Sequence, residues 1–210
     1  MKKNKKRRAQ VKAEDKGLVW EEIETEHLVT DEWIDFRRSK YRFPDGSEFE
    51  PFYSYSRRDF VVIIAEDEKG DLICVRQYRQ GIEKVTLEFC AGGIERSDGK
   101  EYGKREDGST AFHEDALEAA KRELAEETGY ESAEWSHLLT VPSNPTIADN
   151  YAYLFYAKNC KKVKDQDLDD TEFLNVVTLS SEKLEEKIRS GGFEQPIHIL
   201  AYLMSGRTWK

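Results

Sequence analysis

Apolar residues come in short runs separated by polar and glycine-rich breaks, and the spacing changes along the chain. Residues 1–16 show no apolar period and read as a disordered, solvated tail. Leu18 to Tyr55 alternates aromatic and polar positions. Phe43-Pro44-Asp45-Gly46-Ser47 is a turn signal, because Pro presets φ and Gly accepts positive φ. Its flanks, 33–42 and 47–55, are therefore predicted as a hairpin within a small β-rich arm (17–57), too slight to be stable alone. Phe60-Val61-Val62-Ile63-Ile64-Ala65 is apolar on both faces, as a fully buried strand requires. Strands follow at 72–78, 85–89, 136–141, 151–157 and 173–179. Residues 96–108 are polar and glycine-rich and read as a loop or insertion. The 3.6-residue period over 112–128 predicts a helix ended by Gly129. Ser180 opens another that stops at Gly191-Gly192, and Pro196 starts a last one. Strands and helices interleave without a repeat, so the expected fold class is an α/β sandwich on a mixed sheet, with the body at 58–210.

Composition narrows the class. A chain of 210 residues is one domain, or one with a small appendage. It carries 38% hydrophobic and 36% charged residues, with four Trp, ten Tyr and ten Phe, which is wet but too aromatic for a disordered chain. No apolar run nears the roughly 18 residues of a membrane span, and the basic start lacks the apolar stretch of a secretory signal. Cys74, Cys90 and Cys160 are odd in number and without metal-ligand spacing, so buried free thiols in the cytoplasm are expected and a zinc site is not. The net charge is −9, although residues 1–16 hold eight bases (Lys2, Lys3, Lys5, Lys6, Arg7, Arg8, Lys12, Lys16) against two acids. The remainder is thus more acidic still, which opposes nucleic acid and, taken alone, any polyphosphate ligand. The tail reads as solubilising, with weak adhesion to RNA as its alternative.

The helix ending at Gly129 changes that reading. At about 100° per residue, Glu123, Glu126 and Glu127 share an arc of roughly 100° at the edge of the apolar face formed by Ala116, Leu117, Ala120 and Leu124. Like charges at i,i+4 destabilise a helix by a few tenths of a kcal/mol. A hard divalent cation, Mg²⁺ or Mn²⁺, would relieve the conflict. An ordinary charged helix with i,i+4 pairs fits these three glutamates equally well. Arg122 is four residues from both Glu118 and Glu126 and suits a holding role.

Upstream residues break the tie. Gly108, five residues, Glu114, seven residues, then Arg122-Glu123-Leu124-x-Glu126-Glu127-x-Gly129-Tyr130 resembles a complete Nudix box. Arg76-Gln77-Tyr78-Arg79, the run Leu87 to Glu95, and Pro145 fifteen residues beyond Tyr130 are similar to the ADP-ribose pyrophosphatase branch of that superfamily. The resemblance implies a Nudix α/β/α sandwich, a homodimer formed through the N-terminal arm, and Mg²⁺-dependent hydrolysis of a nucleotide sugar, foremost ADP-ribose to AMP and ribose 5-phosphate. It implies metal ligands at Glu123, Glu126, Glu127 and the Ala91 carbonyl. It also implies an orienting role for Arg122, box positions at Gly108, Glu114 and Gly129, and a general base in the loop 165–172. Glu172 is favoured there, with Asp169 and Asp170 as competitors. Arg79 and Glu88 are candidate substrate contacts. Trp33 and Trp20 are candidate base-stacking residues, or else pack at a dimer interface. Cys90, where that branch often has proline, is similar to UDP-sugar pyrophosphatases, so another NDP-sugar stays open. A non-catalytic ligand sensor of the same fold is the alternative of another class.

Overall fold

A computed structural model describes residues 12–95 and 115–206. Gly108, Glu114 and the stretch 96–108 therefore lie outside the described residues, as does the tail up to residue 11. Two compact units can be told apart. One comprises, among the described residues, 12–57 and 144–150; the other 58–95, 115–143 and 151–206.

The first unit opens on a 3-10 helix at Ala13–Leu18, which the sequence pattern missed because it buries no apolar face. Strands β1 (Glu21–Thr30), β2 (Asp35–Arg42) and β3 (Glu48–Ser56) form an antiparallel sheet in that order. The β2–β3 turn is the expected one: Gly46 has φ 86° and Asp45 accepts from the Ser47 N–H at 2.9 Å. Trp20 packs in this unit against Tyr41, Phe43 and Phe52, with ring centroids 5.9, 4.6 and 5.1 Å away. The 144–150 segment joins through Tyr55 N–H to Ile147 O, 2.8 Å, and Ser56 Oγ to Asp149, 2.6 Å.

The second unit is a layered α/β structure. Its strands are β4 (Phe60–Asp67), β5 (Leu72–Arg79), β6 (Lys84–Gly93), β7 (Tyr130–Glu131), β8 (Glu134–Pro142), β9 (Tyr151–Lys162) and β10 (Leu174–Leu179). They make a seven-stranded mixed sheet in the order β10-β5-β6-β4-β9-β7, with β8 alongside β9 and only β4–β9 parallel among the pairs described. Strand alternation splits the apolar run at 60–65 between two cores. Val61, Ile63 and Ala65 pack with Ala119, Ala120 and Leu124 of helix α1 (Ala116–Thr128). Val62 and Ile64 pack with Leu184 of α2 (Ser181–Arg189) and with Ala201 and Tyr202 of α3 (Pro196–Met204). The central strand is thus buried on both faces, which is why it reads as continuous apolar sequence.

Strand β6 changes neighbours along its length. Residues 84–89 pair with β5, whereas 90–93 pair with β4. At the handover the Phe89 N–H is met by His198 Nδ1 of α3, at 3.1 Å. The imidazole is buried, and burial pushes its pKa down to about 4, so it stays neutral with Nδ1 free to accept. No helix among the described residues is long and apolar enough to cross a membrane.

Candidate active site

Helix α1 is fixed at both ends. Asp115 caps it by accepting from the Leu117 N–H at 2.9 Å, so among the described residues the helix starts later than the predicted residue 112. Gly129 closes it at φ 74°, and a Cβ there would fall 2.1 Å from the Lys164 carbonyl oxygen. Only glycine suits both demands. The face turned to the sheet carries Ala119, Ala120 and Leu124, and with them Glu123 and Glu127, at 7% and 2% exposure. Two of the three carboxylates thus lie within the buried face, deeper than the expected edge; Glu126 stays partly open.

The end of β6 receives them. A Cβ on Gly92 would lie 1.9 Å from Glu123 Cδ, so glycine there is what lets strand and carboxylate approach. The Ala91 N–H donates to Glu127 Oε2 at 3.2 Å, and the Cys90 thiol also bonds that carboxylate. Arg122 Nη1 donates to Glu123 Oε1 at 3.0 Å and Glu126 Oε2 at 2.9 Å, while Nη2 reaches Gly93 O at 3.1 Å. Glu118 bonds Lys121 at 2.7 Å.

Among the described residues, the guanidinium seen to bond these carboxylates is that of Arg122, which reaches Glu123 and Glu126. Burial pushes Glu123 up to about 7, against the pull of Arg122, with the charges of Glu126 and Glu172 adding to the rise. Burial pushes Glu127 up to about 8, against the Cys90 and Ala91 hydrogen bonds, with Glu123 and Glu172 again adding. A buried set of carboxylate oxygens is the donor chemistry that hard divalent cations take. Glu123, Glu126 and Glu127 fit Mg²⁺ or Mn²⁺ on that ground. Among the described residues no three His, Cys, Asp or Glu side chains already stand grouped as a cation cage; Arg122 engages Glu123 and Glu126 instead.

The remaining candidates divide. Glu172 sits in the loop before β10; its Oε2 accepts from the Asp169 N–H at 3.2 Å and its own N–H donates to Asp169 O at 2.9 Å. Its charge reaches Glu123 and Glu127. Asp169 and Asp170 line a shallow open recess with Leu168 and Thr171. Arg79 grips Glu88 bidentately, Nε to Oε1 at 2.9 Å and Nη2 to Oε2 at 2.6 Å. Glu88 is expected at the substrate, but its side chain is 0% exposed. Its oxygens are taken by Arg79, by the Thr86 hydroxyl and by Gln195 Nε2 at 2.9 Å. Burial alone would raise its pKa; these three donors outweigh it and hold the carboxyl down to about 2. Glu88 is thus a buried partner of Arg79. Arg79 keeps 34% of its side chain exposed and feels the charge of Glu127. Trp33, 61% exposed after β1, belongs to the first unit, as does Trp20.

Residues 55–195 match the model of the NUDIX domain. A protein of Bacillus methanolicus named methanol dehydrogenase activator is 28% identical over 182 residues, covering 82% of this chain and 86% of that protein. The ADP-ribose pyrophosphatase of Bacillus subtilis (strain 168) is 25% identical over 182 residues, covering 83% and 86%. A crystal structure of an ADP compounds hydrolase superposes with a TM-score of 0.71 at 19% identity, over 90% of this chain and 94% of that one, which speaks for the fold. The domain match alone spans two thirds of the chain. With the Arg122–Gly129 helix set against the Ala91–Gly93 strand end, the chain belongs to the Nudix family of hydrolases.

Proposed function

We propose that the protein hydrolyses the pyrophosphate bond of a nucleoside diphosphate linked to a sugar, with ADP-ribose, cleaved to AMP and ribose 5-phosphate, as its foremost substrate. The observation that carries this is the buried pair Glu123 and Glu127 facing the end of β6. Such a pair is costly unless it serves a cation, and a cation is what a pyrophosphate needs beside an acidic protein. The relative named ADP-ribose pyrophosphatase supports the choice of substrate.

Bound Mg²⁺ would supply charge neutralisation at the phosphates and a more acidic water. The chain supplies the rest. Glu123, Glu126 and Glu127 with the Ala91 carbonyl hold the ion, and Arg122 orients Glu123 and Glu126. Arg79, braced by Glu88, offers guanidinium N–H to a phosphate oxygen. Glu172 accepts the proton as a water oxygen bonds to one phosphorus; the bridging P–O bond breaks and two monophosphates leave. A homodimer through the arm at 17–57 and a cytoplasmic setting for the three buried free thiols belong to the same reading.

The test is product release from ADP-ribose, UDP-glucose, other NDP-sugars, NADH and dinucleoside polyphosphates, with and without Mg²⁺. ADP-ribose is expected to lead. Preference for UDP-glucose would move the substrate to the reading that Cys90 suggests. Turnover of none would overturn the enzyme in favour of a sensor.

A further inference from the structure

The last turn of α1 leaves carbonyls without helical partners, as every helix does. Here those from Leu124 to Glu127 are each answered. Leu124 O is taken by the Thr128 hydroxyl and Ala125 O by the Gly129 N–H at 3.0 Å. The next two go to a distant segment. Asp167 N–H donates to Glu126 O at 2.9 Å, and Gln166 Nε2 donates to Glu127 O at 2.7 Å. Val163 and Lys164 N–H both reach Gly129 O, at 2.9 and 3.3 Å, which places the Lys164 carbonyl against Gly129. Five residues past Asp167 is Glu172, fixed by its own two bonds to Asp169. The main chains of Glu126 and Glu127 therefore hold the loop that carries Glu172, while their side chains form the carboxylate cluster. One turn of helix sets both halves of the site.

We propose that Gln166 is a positioning residue: its side-chain amide ties the 163–172 loop to α1 and sets where the Glu172 carboxylate stands relative to Glu123 and Glu127. This rests on the reading of Glu172 as the base. In Gln166→Ala the tie is lost but the acid remains, so the loss belongs to kcat and not to substrate binding. A displacement of about 1 Å at a reacting group costs up to roughly a hundredfold.

The test is steady-state kinetics with ADP-ribose and Mg²⁺, together with amide hydrogen exchange at Asp167, in the full chain. Gln166→Ala is expected to lower kcat by about ten- to a hundredfold, leave KM within about twofold, and speed exchange at Asp167. Gln166→Lys keeps an N–H donor of similar reach and is expected to restore most of kcat. Unchanged kcat in Gln166→Ala, unchanged exchange at Asp167, or equal loss in both variants would each overturn the assignment. Full activity in Glu172→Gln would instead remove the base. If no substrate is turned over the function falls, and exchange at Asp167 still decides the tie.

Discussion

Gly92 and Glu127 show how a single atom or proton decides the site. A methyl group on Gly92 would occupy the space of the Glu123 carboxyl carbon, 1.9 Å away. Gly92→Ala is therefore expected to destabilise the fold by about 1–3 kcal/mol, read as a lower urea midpoint, and to weaken Mg²⁺ activation. Glu127 is held up at about 8 in the folded protein against 4.5 as its ordinary value. The folded state thus binds the extra proton between those values. The group's contribution to stability is greatest below about 4.5, declines as pH climbs, and levels off above about 8. In metal-free protein, Glu127→Gln is expected to flatten the fall in Tm from pH 5 to pH 8. With Mg²⁺ present the same variant is expected to have lost turnover; retained turnover would show the cluster misassigned. Mg²⁺ is expected to raise the wild-type Tm more at pH 8 than at pH 5, since a cation competes with protons for the same oxygens. The carboxylates and Arg122 were legible in the sequence because their spacing is local. The roles of Gly92, Gln166 and Gln195 were not, because each faces a partner 31 or more residues away along the chain.

Elements were read more accurately at their centres than at their ends. The apolar run at 60–65, the Ser180 cap and the proline at 196 mark their elements directly. The sequence pattern ends β9 at Ala157, but the strand runs on to Lys162. Apart from the buried Cys160, its last residues are exposed and polar, and Lys161 and Lys162 pair with β7. Hydrophobic periodicity does not report strand that is sustained by ladder hydrogen bonds alone. The handover in β6 is equally invisible in sequence, since it depends on His198 filling the place of a neighbouring strand. His198→Ala would leave the Phe89 N–H buried without its acceptor, at a cost of about 1–3 kcal/mol. His198→Asn, which offers an oxygen acceptor, is expected to recover part of that loss in thermal unfolding.

At the scale of the molecule, charge composition taken alone argues against a polyphosphate ligand. A net −9 opposes a pyrophosphate at long range, yet part of that excess is gathered into one buried cluster where the proposed cations would reverse the local field. Deleting residues 1–16 is expected to leave kcat/KM within about twofold, because their composition reads as a solubilising tail. A larger loss would give the basic tail a role in turnover. Light scattering on the full chain tests the homodimer, with a monomer counting against the arm as an interface.

The shared turn of α1 carries a consequence for how such a site can change. Residues 122–129 act as a ruler, with side chains reading one edge and carbonyls the other. Substitutions away from these contacts leave its graduations in place. A change of length is another matter. One alanine inserted between Leu124 and Ala125 would swing Glu127 by about 100° away from β6 and carry the 163–172 loop with it. An insertion or deletion inside this turn is therefore expected to displace the carboxylates and the loop together.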